Sequence, residues 1–196
     1  SSTTTSEIPL PAYFRTSLTG KPVLLNNPFQ RWSDVEFASN GIYVVVPADS
    51  LAHPDKVLDA YIRFGTKVIY QKGGYRMSNL SLSPSEKWLA FQEAKSSGVQ
   101  NAVLQILSVE NPSQIIKVPI DRVVTQVKWS SDDSKLYFTA QNQGGAPLFV
   151  VDISTKQVKQ LTDNNTGILG FDVTDAGFVY AKTGIENPSE ILFESW

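Results

Sequence analysis

One local pattern recurs four times along the chain at nearly constant spacing, and it limits the possible folds more than any other feature. An alternating strand runs into a short polar turn and then into a strongly apolar strand, at residues 35–44 (VEFASNGIYV), 80–91 (LSLSPSEKWLAF), 127–138 (VKWSSDDSKLYF) and 171–180 (FDVTDAGFVY). Aligned on the apolar strand, Ile42, Leu89, Leu136 and Phe178 stand 47, 47 and 42 residues apart. Each copy reads as a β-hairpin. Asn40-Gly41 tolerates positive φ, while Ser83-Pro84 and Ser131-Asp132-Asp133 supply a preset φ and side-chain acceptors for the turn backbone.

Further β-rich runs lie between the hairpins: 60–64 with 67–70, 102–107 with 114–118, and 148–152 with 157–161. Each unit therefore reaches four strands, and a period of 42–47 residues is that of one four-stranded propeller blade. A β-sandwich would also show short strands and frequent turns, but nothing in it requires one motif to repeat at fixed spacing. We expect an all-β chain, a β-propeller with about four blades present and belonging to a larger propeller. Residues 1–11 form a flexible N-terminal segment and 12–196 the partial propeller. Residues 13–16 and 22–25 read as the outer two strands of a further blade, and the fourth blade stops one strand short at residues 191–196. Only residues 50–58 carry any helical character.

Composition narrows function mainly by exclusion. The 196 residues are 41% hydrophobic and 18% charged, as in a folded domain with a sizeable core, and the formal net charge is −2. That balance gives no broad attraction for nucleic acid or anionic lipid. No apolar run approaches a membrane span. With no cysteine, disulfides, thiolate nucleophiles and cysteine-held metals are excluded. The polar start, residues 1–7, reads either as a mature terminus left by signal removal or as appended residues. We lean to a periplasmic or secreted setting over the cytoplasm.

The hairpins at 82–91 and 127–140, extended by 148–152 and 159–162, resemble the blades of prolyl oligopeptidase-family serine peptidases, in particular acylaminoacyl and dipeptidyl peptidases. Residues 177–192, with Asn187-Pro188 ahead of the last strand, add to the likeness. The same hairpin grammar is shared with the periplasmic propeller of the Tol system. The peptidase resemblance implies a propeller that caps an α/β-hydrolase domain of the same parent protein and restricts access to short or unstructured peptides. The catalytic residues would then lie outside this chain, which contains no Gly-x-Ser-x-Gly elbow and a single histidine, His53. The Tol-like alternative is a binding or sensing propeller with no enzyme attached.

The chain itself therefore receives no catalytic, cofactor or metal assignment. His53, beside Pro54-Asp55, reads as a loop histidine. The pairs Asp132-Asp133 and Asp172 with Asp175 fit turn chemistry rather than a calcium or glycosidase constellation. Trp88, Trp129, Tyr137 and Phe178 fall on strands and read as packing between blades. One group stands out: Arg31, Arg76 and Arg122 precede Phe37, Leu82 and Trp129 by six, six and seven residues. That spacing predicts three guanidiniums at one mouth of the channel, as an anion-recognising or domain-docking rim. The plainer alternative pairs each arginine with an acid nearby, such as Asp34 or Asp121.

Overall fold

The computed structural model describes residues 14–15, 19–24, 32–47, 59–97, 100–183 and 189–196. The described residues are all β, in antiparallel sheets whose strands follow chain order. The first sheet holds β3 (Asp34–Ala38), β4 (Gly41–Pro47), β5 (Ala60–Phe64) and β6 (Lys67–Gln71). The second holds β7 (Tyr75–Leu82), β8 (Trp88–Lys95), β9 (Val103–Ser108) and β10 (Ile115–Lys117). The third holds β11 (Val124–Trp129), β12 (Lys135–Ala140), β13 (Leu148–Asp152) and β14 (Val158–Gln160). The fourth has three strands, β15 (Gly167–Thr174), β16 (Gly177–Thr183) and β17 (Glu190–Ser195). A two-stranded ribbon, β1 (Phe14–Arg15) with β2 (Val23–Leu24), comes first. The repeat read from the sequence is thus one sheet per period. The 50–58 segment, expected to be the most helical, and His53 lie outside the described residues.

The second strand of each of the first three sheets is buried on both faces over most of its length, which explains its continuous apolar run. On β8, Leu89 and Phe91 enter a core shared with the first sheet, beside Tyr43, Ile62 and Met77. Ala90, between them, joins Leu136, Phe138 and Val151 in the core shared with the third sheet. Tyr137 faces the opposite way from Phe138 and packs with Phe171, Phe178 and Tyr180 of the fourth sheet. The second and third sheets are therefore each sandwiched between two neighbours, as in blades stacked around an axis. The aromatics act as expected: the Trp129 indole is buried and its N–H donates to Ser81 O of the second sheet at 3.2 Å. Trp196 stacks on Tyr137 at 5.3 Å between ring centroids and donates to Thr174 O at 3.0 Å, tying the last strand back to the fourth hairpin.

The hairpin turns do more than reverse the chain. In the second and third sheets they share one geometry: Ser83 N donates to Trp88 O and Ser130 N to Lys135 O, both at 2.9 Å, while Glu86 and Asp133 each adopt φ 61°. The carboxylate of each turn then receives the serine of the turn before it. Ser39 donates through N to Glu86 Oε1 at 2.6 Å and through Oγ to Oε2 at 3.0 Å. Ser83 Oγ donates to Asp133 Oδ2 at 2.8 Å, joined by the N–H and hydroxyl of Ser85. Ser131 Oγ donates to Asp175 Oδ1 at 2.5 Å. In the first and fourth sheets the turns are shorter and end on glycine because a neighbouring strand presses close. A Cβ at Gly41 would stand 2.5 Å from the Phe64 ring, and one at Gly177 would stand 2.0 Å from Glu194 O.

The inner strands are joined a level higher. The β7 amides of Leu80 and Leu82, free on the channel side, donate to Asp34 Oδ2 at 2.8 Å and Glu36 Oε1 at 3.2 Å. Between the third and fourth sheets, Gln126 Nε2 donates to Leu169 O at 2.8 Å. Side chains of one blade thus cap the otherwise open backbone edge of the next.

Two measurements follow from these turns. Asp133→Asn keeps a residue tolerant of positive φ but removes the charge from a buried acceptor of three hydrogen bonds; urea denaturation should record a loss of about 1.5–3 kcal/mol. Ser131→Ala, at an exposed junction, should cost no more than about 1 kcal/mol. Equal losses would mean that the turn-to-turn bonds do not set the difference. The second concerns acid. Asp132 is held down at about 2 by the Ser130 and Ser134 hydroxyls, and Asp152 at about 2 by the Ser154 hydroxyl and the Thr155 N–H. Both folded values lie below the ordinary 3.8, so their stabilisation is present above that value and is lost as pH falls through about 2. The melting temperature should fall across this window, and Asp152→Asn should flatten the fall.

Candidate functional site

The strand directions give the blades two unlike rims. The serine–carboxylate turns occupy one. At the other, β7 begins at Tyr75, β8 ends at Lys95, β9 begins at Val103 and β10 ends at Lys117. Polar side chains gather on this second rim, and it carries the candidate site.

The rim opens into a crevice of about 230 Å³ between the first and second sheets, lined by Lys72, Tyr75, Glu93, Lys95, Gln105 and Lys117, among others. Its floor is a buried carboxylate. Glu93 lies on the same face of β8 as Leu89 and Phe91, the two-residue period carrying it into the junction with the first sheet. Its side chain is only 4% exposed, against 42% for Lys72. Lys72 Nζ donates to Glu93 Oε1 at 2.6 Å, the Tyr70 hydroxyl donates to Oε2, and Gln105 Nε2 reaches Oε1 at 3.4 Å. The Lys72 ammonium also stands 3.7 Å over the Tyr75 ring.

This arrangement perturbs both partners. Burial raises the Tyr70 hydroxyl well above its ordinary value, and the hydrogen bond to Glu93 and that group's charge push it further the same way. For Lys72, burial pulls downward but the Glu93 hydrogen bond and charge, with Tyr75, outweigh it and leave the ammonium raised. Lys72 therefore stabilises the fold below its ordinary value of 10.5, and that contribution is lost as pH rises through the raised one.

The same rim carries a knot of amides in the third sheet. Asn142 Nδ2 and Gln160 Nε2 both donate to Asn164 Oδ1 at 2.8 Å, and Asn164 Nδ2 donates to Gln143 Oε1 at 2.9 Å. Gly145 passes so close to it that a Cβ there would stand 2.1 Å from Asn164 O.

The arginines expected at a channel mouth fall as follows. Arg76 lies within β7 rather than ahead of it, opposite Ala94, and is exposed. Arg122 is exposed two residues before β11, at the same rim. Arg31 lies outside the described residues. Among the described residues neither Arg76 nor Arg122 forms an ion pair with Asp34 or Asp121. Asp34 instead accepts the β7 amide, and Asp172 pairs with Lys128 at 3.7 Å. No group of three or more histidines and acids capable of holding a metal is found among the described residues.

The Glu93 cluster was missed in the sequence because its members are spread over four strands. A signal was present: Gln92-Glu93 interrupts a strand that is otherwise apolar from Trp88 to Ala94. Lys72→Met tests its structural weight, since it leaves Glu93 buried without its cation. The expected loss is about 1–2 kcal/mol by chemical denaturation, below the 3–5 kcal/mol typical of fully buried pairs because Lys72 is itself half in solvent. No loss would mean that the Tyr70 and Gln105 bonds alone satisfy the carboxylate.

No protein-family model matches the sequence, and no curated protein matches it. Solved structures do. The acylaminoacyl peptidase of Pyrococcus horikoshii aligns over 81% of this chain with a TM-score of 0.60 and 20% identity. The β-propeller domain of the Trilobed protease from Pyrococcus furiosus, described as having an open velcro topology, aligns over 88% of this chain and 54% of its own, with a TM-score of 0.65 and 19% identity. A putative TolB from Agrobacterium tumefaciens aligns over 94% of this chain and 70% of its own, with a TM-score of 0.61 and 14% identity. The chain spans about a quarter of the acylaminoacyl peptidase chains it matches, 25% of their length. The likeness is one of fold: this chain is an all-β protein whose four antiparallel sheets match the blades of peptidase and TolB propellers.

Proposed function

We propose that the chain is the non-catalytic propeller portion of a prolyl oligopeptidase-family serine peptidase, gating substrate access and docking an α/β-hydrolase domain. The observation that carries this reading is the match of the repeated sheets to the propeller of a protease, the Trilobed enzyme, joined to the peptidase-like hairpins in the sequence. In it, the inner strands β3, β7, β11 and β15 would line the passage, and Glu36, Gln126 and Lys128 would keep its wall polar. The hydrogen bonds of Glu36 to Leu82 N and of Gln126 to Leu169 O brace that wall. Burial first, and then the Asp34 charge, push the Glu36 carboxyl up against the lowering effect of the Leu82 bond. Such a passage would admit extended peptides. Chemistry belongs to the partner domain, which Arg76 and Arg122 at the second rim would help to seat.

A second reading has its own support. The TolB match covers more of both chains than the peptidase matches do, which favours a periplasmic or extracellular propeller that binds a protein or small ligand and has no enzymatic activity.

The parent reading frame beyond Trp196 separates the two. Continuation through a Gly-x-Ser-x-Gly elbow, with a later aspartate and histidine, is the result expected for the gate. A stop within one or two further blades would leave the binding propeller.

A further inference from the structure

The second-rim crevice holds more than its own carboxylate requires. Its described lining includes three lysines against one glutamate, in a chain whose formal net charge is −2. Lys72 is committed to Glu93, but Lys95 and Lys117 are exposed and form no ion pair among the described residues. Gln105 stands on β9, the strand between theirs, and on the same face of the sheet: it pairs with Lys117 of β10 on one side and with Phe91 of β8 on the other, and Lys95 follows Phe91 by four residues. Gln105 is 7% exposed and its Oε1 has no hydrogen-bond donor. Its amide is oriented by Glu93: turning it over would set its oxygen against the carboxylate that Nε2 now faces at 3.4 Å. A buried acceptor without a donor is costly and calls for a partner.

We propose that this crevice binds a short acidic peptide segment, with Lys95 and Lys117 holding side-chain carboxylates and Gln105 Oε1 accepting a backbone N–H between them. An extended peptide with acids two residues apart offers that order of groups: anion, amide donor, anion. The Tyr75 ring, already under the Lys72 ammonium, forms an apolar wall for the intervening residue. The inference deepens the peptide-handling reading but rests on the crevice alone. A missing hydrolase domain would overturn the gate and leave this site standing, and the reverse also holds.

The test is fluorescence anisotropy on the whole chain at low ionic strength, where charge contacts are least screened. The probes are a labelled Gly-Glu-Ala-Glu-Gly peptide and its Gly-Gln-Ala-Gln-Gly counterpart. Saturable binding of the acidic peptide is expected, weakened at least tenfold in the glutamine form and about tenfold by Lys95→Gln with Lys117→Gln. Both lysines are exposed, so that variant should keep the fold. Lys67→Gln, at the opposite rim, should change nothing. Gln105→Met keeps the side-chain shape but removes the acceptor, and it should weaken the peptide several-fold while leaving competition by glutarate, which has no N–H, unchanged. The proposal is overturned if the acidic peptide does not bind, if its glutamine form binds equally, or if Lys67→Gln weakens it as much as the double variant. It is also overturned if glutarate competes as tightly as the peptide and Gln105→Met affects neither, which would make the crevice a small-dicarboxylate site.

Discussion

Everything at the rim of the hairpin turns depends on a carboxylate in one turn receiving the serine of the turn before it. Hydrophobic contact between sheets supplies the larger share of stability, because a fully buried leucine or phenylalanine contributes about 1.5–3 kcal/mol and every inner face is lined with them. That attraction is nearly indifferent to small rotations of one sheet on another. The bonds from Ser39 to Glu86, from Ser83 and Ser85 to Asp133, and from Ser131 to Asp175 are not, since each works only at one offset. They select the angle between blades. At the middle junction Asp133 is buried and accepts three such bonds, so the second and third sheets are the most firmly indexed pair.

The local chemistry of the turns makes this clasp possible. Glu86 and Asp133 sit at φ 61°, where a non-glycine residue is disfavoured, and Asp is one of the few that tolerates it well. The backbone twist presents the carboxylate sideways to the preceding blade instead of along its own strand. Glycine at those positions would relieve the backbone and remove the acceptor. Where a turn is two residues long, at 39–40 and 175–176, the carboxylate or serine is carried inside the turn, and the glycine moves to the start of the next strand, where space is short.

Much of this was legible from the residues. The 47-residue interval, the Ser-Pro and Ser-Asp-Asp turns and the unbroken apolar run on β8 and β12 are local features, and each survives as one sheet, one turn geometry and one doubly buried strand. The third sheet's four strands and the fourth sheet's three were read correctly for the same reason. Asp132 and Asp175 were rightly taken as turn residues, but the reach of Asp175 to Ser131 and of Asp133 to Ser83 was invisible, because contacts across 44 and 50 positions depend on how sheets stack. The Glu93 cluster was hidden the same way. Lys72 is 21 positions away and Gln105 is 12, and only the meeting of β6 with β8 and β9 brings them together. The arginine spacing, by contrast, was visible, but one step of register put Arg76 inside β7.

The two rims divide the work of the fold. One is closed by charge-assisted bonds in which donors and acceptors are matched, so it adds order and offers little to a partner. The other ends in longer loops, an amide knot and a crevice whose acceptor and two ammoniums lack partners within the described residues. A stack of blades indexed at one edge tolerates unsatisfied groups at the opposite edge, because the strands between them transmit the spacing without needing bonds at both ends. Gln105, held in β9 and turned by Glu93, is pre-organised as an acceptor, whereas the exposed Lys95 and Lys117 side chains lose rotamer freedom when they bind. If the crevice binds the acidic peptide proposed above, the firmness of the serine–carboxylate rim is what holds its sheet-borne acceptor in place.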